Sequence, residues 1–366
     1  MAERVLTTRE LNRALLARQL LLERSQLSLV RALEQVAGLQ TQYAPSGYIG
    51  LWSRLARFEL PDLTKALERR KAIQGTLMRS TIHLVSPRDY WPFAVGSCDA
   101  RREGWLRYHR SRLGEAEIQA AAGLVRSALA GKTLHRDELL ELVRPHDPTG
   151  GTALWNGLAA WIDLVRVPPS GTWKRRRADL YARAEDWVGS ASTTPEDGME
   201  RLLRSYLRGF GPARLSEAAD WAGLSITTLR PVVERLQLRR FRDEEGKELL
   251  DLPRARLPPP ETPAPVRFLP TWDATLLAHA RATQILPERF RPLVFSTKTP
   301  QSMSTFAVDG AVAGSWRVER TAKKATLTID AFEKLPRASR EAVREEAEAL
   351  VRFAEPDAPT WAVVAK

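Results

Sequence analysis

The sequence predicts a mainly α protein with β wings, built from three similar units in tandem and a smaller β-rich domain behind them. Three observations carry this expectation. Residues 196–257 read as helix, helix, helix, hairpin; the same order recurs in the stretches before them; and a run of prolines divides these units from a segment of alternating apolar residues. The resulting boundaries are 1–95, 96–195, 196–262 and 263–366.

In the first unit, helical spacing covers Arg9 to Leu22, Leu29 to Ala37 and Ile49 to Phe58, and Thr76 to Val85 reads as a strand. The stretch from Gly96 to Arg102 marks a break. The second unit offers helices at Ile118 to Leu129, Asp137 to Val143 and Thr152 to Leu164, with Asp137 as an N-terminal cap. A hairpin-like segment follows, and its tip, Ser170-Gly-Thr-Trp-Lys-Arg-Arg-Arg177, sets Lys174, Arg175, Arg176 and Arg177 beside an indole. Four such cations suit phosphate, although a charge run is equally often a solvated loop. Ser190 to Pro195 is the next loop. In the third unit, Met199, Leu202, Leu203, Tyr206 and Leu207 make one helix face and stop at Gly209. Leu215 to Trp221 forms a short second helix, Ser225 caps a third, and Leu238 to Asp243 and Lys247 to Leu252 flank a short turn as a wing. Leu257 to Pro265 holds five prolines and reads as a stiff connector. Beyond it, Val266 to Leu269, Leu293 to Ser296, Ser304 to Val308, Ala311 to Val318 and Ala325 to Ile329 read as strands, and Arg337 to Phe353 as a final helix.

Composition narrows the function. Fifty-six Lys and Arg against 44 Asp and Glu leave a formal charge of +12, which favours an anionic partner such as nucleic acid. The single cysteine, Cys98, excludes an intramolecular disulfide and a four-cysteine zinc site. No signal sequence and no apolar run long enough to span a membrane are present, so a cytoplasmic, nucleoid-associated protein is expected. Gly131-Lys-Thr133 lacks the first glycine of a phosphate-binding loop, and His135-Arg-Asp137 has none of a kinase's companion motifs. The five histidines show no metal-site spacing; no metal or other cofactor is expected.

Five segments remain: Val36-Ala-Gly-Leu-Gln-Thr-Gln42 with Ala44-Pro-Ser46; Leu77-Met-Arg-Ser-Thr-Ile-His83; Arg204-Ser-Tyr-Leu-Arg-Gly-Phe-Gly-Pro212; Val266-Arg-Phe-Leu-Pro-Thr-Trp-Asp273; and Val308-Asp-Gly-Ala-Val-Ala-Gly-Ser-Trp316. Together, in this order, they resemble the winged-helix DNA glycosylases of the AlkZ and YcaQ family, which repair alkylated and crosslinked DNA. The resemblance implies three tandem winged-helix (helix-turn-helix) units and a C-terminal β-barrel-like domain around a duplex channel. It also implies a catalytic Gln-x-Gln element, which falls on Gln40 and Gln42, and substrates in double-stranded DNA carrying N7-alkylated or crosslinked purines.

Read from the residues alone, Gln40 and Gln42 are two polar side chains at a helix end, where capping is their ordinary role. Arg79, Thr81 and His83 alternate along the predicted strand and face one side, which fits either contact with DNA or a wing whose polar groups are satisfied internally. Asp273 and Trp316 fall on family positions, but a tryptophan in such a domain is more often core. The expected activity is that of a monomeric, metal-independent, monofunctional glycosylase without lyase activity, serving alkylation repair or antibiotic self-resistance. A non-catalytic winged-helix regulator explains the charge and the repeats, and leaves the β-rich C-terminal domain and the Gln-x-Gln element without a role.

Overall fold

Helices start where short polar side chains can hold the first free amides. In this computed structural model, which describes residues 3–147, 152–277, 285–295 and 302–366, β1 (Val5–Leu6) leads into α1 (Thr8–Arg18), capped reciprocally by Thr7 and Glu10. Ser28 caps α2 (Leu29–Gln35), and positive φ at Ala37 and Gly38 turns the chain into β2 (Leu39–Gln40). Next come α3 (Ala44–Arg54) and α4 (Leu60–Glu68). The predicted strand from Thr76 to Val85 is instead a hairpin: β3 (Ile73–Thr76), a 3-10 turn at Met78–Ser80, then β4 (Ile82–Val85). Arg79 and Ser80 carry φ of 52° and 56°, so the chain reverses there and the strand alternation that put Arg79 beside His83 does not hold. The helix expected from Ile49 starts at Ala44, because Pro45 has no amide hydrogen to lose in the first turn.

The expected break near Gly96 is a close helix contact. In α5 (Pro87–Gly96), a Cβ at Gly96 would stand 2.4 Å from the Gly198 carbonyl carbon, in the helix that begins at Pro195. After α6 (Cys98–His109) and α7 (Glu115–Ala128) come β5 (Leu134–His135) and α8 (Arg136–Val143), capped by His135 rather than Asp137. The predicted third helix of this stretch shrinks to α9 (Ala153–Gly157) and a 3-10 turn, then becomes β6 (Leu164–Arg166). β7 (Leu180–Arg183) and α10 (Ala184–Trp187) close it.

The next stretch follows its sequence closely. It comprises α11 (Pro195–Phe210), α12 (Leu215–Ala222), α13 (Ile226–Arg235) and the hairpin β8 (Arg239–Asp243) and β9 (Glu248–Asp251). Gly223 ends α12 at φ 71°, and the Ser225 hydroxyl accepts the Thr228 amide at 3.0 Å. Behind the prolines lie β10 (Arg267–Leu269), α14 (Ala274–Leu277), α15 (Arg291–Val294), β11 (Thr305–Val308), β12 (Ala311–Arg320), β13 (Ala325–Ala331), α16 (Arg337–Ala354) and β14 (Trp361–Ala365). Of the predicted strand at 293–296, residues Leu293 and Val294 are helical and Ser296 lies outside the described residues.

The protein is a mixed α/β fold, and its described residues form three sheets. One has six strands in the order β2-β4-β3-β6-β7-β5, another three in the order β1-β8-β9, and the last five in the order β10-β11-β12-β13-β14. The last is an open sheet: β10 and β14 are its two edges, and α16 packs on it through Val343, Ala347, Leu350 and Val351. The expected closed barrel is therefore corrected, since β14 pairs parallel to β13 and does not return to β10. In the six-stranded sheet, β3 pairs with β6, so strands from the first hundred residues and from the second share one ladder. Its edge strand β2 carries Gln40.

Candidate active site

Gln40 lies directly across from His83 in the β2–β4 ladder. It is 5% exposed, and its Oε1 accepts a hydrogen bond from Arg79 Nη2 at 3.1 Å. Gln42 is exposed and continues the ladder with its side chain: the Ile82 carbonyl accepts from the Thr41 amide at 2.8 Å, and the Ile82 amide donates to Gln42 Oε1 at 3.0 Å. Both glutamines are thus oriented through their carbonyl oxygens by donors from one hairpin, not by a helix end. A carbonyl oxygen has two lone pairs, so each keeps acceptor capacity beyond the bond that fixes it.

Arg79 stands behind this arrangement. Its left-handed backbone turns the side chain toward α12, where Nη1 donates to the Trp221 carbonyl. A Cβ at Gly223 would meet the Arg79 amide nitrogen at 3.1 Å and its Cγ at 3.2 Å. Burial pulls the guanidinium below arginine's ordinary pKa, against the favourable charge of Asp220. His83 is 3% exposed, with Nδ1 3.0 Å from the Thr81 carbonyl. Burial, reinforced by the Arg79 charge, pulls it down to about 3, so the ring is neutral at physiological pH and Nδ1 carries the proton that it donates. Thr81 Oγ1 donates to the Met78 carbonyl at 3.1 Å. The three residues therefore lie together beside Gln40, with hydrogen-bond partners of their own.

The four cations of the 170–177 tip diverge. Lys174 is exposed; Arg175 and Arg177 lean on the buried Asp179 at 3.4 and 3.6 Å. Arg176 turns the other way. It donates to Tyr43 Oη at 3.0 Å, lies 5.2 Å from the centroid of Trp173, and approaches Glu355 at 3.9 Å. These residues wall a cleft of about 190 Å³ that opens beside the residue following Gln42. Ser46 and Trp316 also line it. Trp316 is 7% exposed and donates Nε1 to the Leu269 and Thr305 carbonyls, both at 3.0 Å, as a core residue does. Sequence reasoning passed over Tyr43 and Glu355, and quoted Ser46 only as part of a segment without a role. Adjacency to Gln42 was the signal for Tyr43, and Glu355, at the far end of the chain, had none.

α3 is anchored from below. Arg54, fully buried, makes two 3.0 Å hydrogen bonds to the carboxylate of Asp273. Burial pushes Asp273 up, but the Arg54 charge and hydrogen bonds, with those of Thr275, outweigh it and hold the carboxyl below its ordinary value. Cys98 is half-buried and burial raises its thiol, which argues against a nucleophile. Among the described residues no group of three His, Cys, Asp or Glu is placed to hold a metal ion, and no helix is long and apolar enough to cross a membrane.

The family model for AlkZ-like DNA glycosylases matches residues 33–353. The chain belongs to the AlkZ-like DNA glycosylase family. This glycosylase also superposes on a solved structure, the Streptomyces sahachiroi DNA glycosylase AlkZ, with a TM-score of 0.81 over 99% of this chain and 100% of that one, at 20% sequence identity. No curated protein matches the sequence. The substrate class of an AlkZ-like DNA glycosylase is DNA, and the excess of cations agrees with it.

Proposed function

We propose that this glycosylase hydrolyses the N-glycosidic bond of cationic N7-alkylated purines in double-stranded DNA, with Gln40 and Gln42 as its catalytic pair. The observation that supports this most is the fixed pair of amides, each oriented through Oε1 by the 79–82 turn. An amide is not a useful general base at neutral pH. The substrate removes the need for one. N7-alkylation leaves the base positively charged, so the C1′–N9 electron pair departs into the purine ring and the base leaves neutral without an acid. Water forms the new C1′–O bond and releases its proton to solvent. The enzyme's work is to place that water and stabilise positive charge developing on the sugar, which carbonyl dipoles do. No amine nucleophile takes part, so the abasic strand stays intact, and no metal is called on.

Lys174, Arg175 and Arg177, exposed on one tip, fit contact with phosphates flanking the lesion, and Arg79, Thr81 and His83 fit the backing of Gln40. The helix-helix-helix-hairpin order of residues 195–251 supports the winged-helix reading of that unit; the two units before it, which share one sheet, are read as its relatives. Unhooking of interstrand crosslinks, in repair or antibiotic self-resistance, extends the same chemistry to both strands. The test incubates purified protein, with EDTA, with duplex carrying one N7-methylguanine and then treats it with alkali. Cleavage at the lesion that requires alkali supports the reading. Binding without alkali-sensitive cleavage of this or a nitrogen-mustard substrate favours a binding protein.

A further inference from the structure

The cleft beside Gln42 has unspent binding capacity. Ser46, 3% exposed, lines it with an Oγ that has no hydrogen-bond partner among the described residues, a costly state for a buried hydroxyl unless something else fills it. Glu355 also lines the cleft and is approached by two guanidinium groups only at 3.9 Å, from Arg176, and 3.8 Å, from Arg320. Its carboxylate has acceptor sites to offer. Trp173 is braced by Tyr48 and Phe353, with ring centroids 5.5 and 6.3 Å away, and Arg176 lies over its ring. A planar cation over Trp173, between the Tyr43 hydroxyl and the Glu355 carboxylate, is what the Arg176 guanidinium already is.

We propose that this cleft binds the alkylated base itself, as a flat cationic purine that displaces the exposed Arg176 side chain from Trp173. The proposal rests on the glycosylase reading and adds a subsite to it. A cationic ring gains cation–π attraction over an indole that a neutral purine does not. A guanine offers adjacent N1–H and exocyclic N–H donors to one carboxylate, matching Glu355, and an O6 acceptor for the Ser46 hydroxyl. N7-alkylation makes N1–H a stronger donor, so both contacts favour the damaged base. The volume, about 190 Å³, suits one purine with a small substituent. Tyr43, the residue after Gln42 in the chain, lines the cleft, so recognition of the base and attack at its sugar would be carried by neighbouring residues.

The probe is 7-methylguanosine against guanosine, titrated into the full chain in mildly acidic buffer, where the methylated ring stays cationic, with tryptophan fluorescence and calorimetry as readouts. The proposal predicts a preference of about tenfold for the methylated nucleoside. Glu355→Gln should reduce the preference, and Trp173→Leu in addition should abolish it. Ser46→Ala should weaken binding of both nucleosides without lowering the melting temperature, since it deletes a buried hydroxyl that makes no bond to the described residues in the free protein. Equal affinities, or no binding at saturating nucleoside, would overturn the subsite; excision of N7-methylguanine from DNA by the same preparation would then leave the glycosylase reading standing. Selective nucleoside binding without excision would uphold the subsite and overturn that reading.

Discussion

Replacing Arg79 by methionine separates two roles that the sequence leaves open for it. The substitution keeps much of the side-chain volume and removes the Nη2 bond to Gln40 and the Nη1 bond to the Trp221 carbonyl. Hydrogen bonds to charged groups contribute roughly 1.5–3 kcal/mol. If the Gln40 bond serves to orient a dipole used in the transition state, its loss appears in the chemical step, where each 1.36 kcal/mol is about tenfold. The expected fall is on the order of ten- to a hundredfold in the single-turnover rate, with duplex affinity nearly unchanged. Gly223→Ala should give a smaller defect of the same kind, because its Cβ would press on the Arg79 backbone and its φ of 71° disfavours alanine. The assay is single-turnover release of N7-methylguanine, with duplex affinity measured across a salt series. A phosphate contact would behave oppositely: weaker binding, a salt slope reduced by about 0.9, and an unaltered chemical rate. That pattern would refute the positioning role.

Three further outcomes follow from buried and exposed charge. Arg54→Met leaves the Asp273 carboxylate unpaired in the core and should cost about 3–5 kcal/mol; Arg54→Met with Asp273→Leu should be more stable in denaturant than Arg54→Met alone, and a larger loss in the double variant would contradict this. His83 has a folded value of about 3 against 6.5 as its unperturbed value, so between these pH values the unfolded chain binds a proton that the folded one refuses. Stability should therefore rise with pH by up to about 1.4 kcal/mol per unit in that window and gain nothing more from this residue above it; His83→Gln should flatten the slope in pH-dependent denaturant melts, and an unchanged slope would be the contrary result. Replacing Lys174, Arg175 and Arg177 by glutamine should weaken binding to undamaged and damaged duplex alike and lower the salt slope by about 0.9 for each phosphate no longer neutralised, as a filter-binding salt series would record; an unchanged slope would make the tip a solvated loop.

The parts legible in the sequence were those whose cause is local. In α11 to β9, apolar period, the Gly223 cap and the Ser225 cap all act within a few residues, and elements and turns fall where expected. The reversal at Arg79 and Ser80 was illegible because neither residue type favours positive φ; the Trp221 carbonyl and the Gly223 turn, more than 140 residues away, hold it there. β14 was missed although its Trp361, Val363 and Val364 favour a strand; its parallel pairing with β13, which leaves the sheet open, is nonlocal. Gln40 and Gln42, the proposed catalytic pair, were singled out by motif, but their anchoring to the 79–82 turn depends on strand pairing that no spacing encodes. Arg176 was grouped with three neighbours by sequence and separated from them by Tyr43, Trp173 and Glu355.

Two amides suffice for the proposed reaction because the leaving group is already cationic. Their role is tested most directly by comparing Gln40→Ala and Gln42→Ala with the unaltered protein in release of N7-methylguanine from duplex DNA under EDTA, with melting temperature and duplex affinity as controls. Loss of release in folded variants that still bind DNA is the predicted result. Unaltered release by both variants would contradict it.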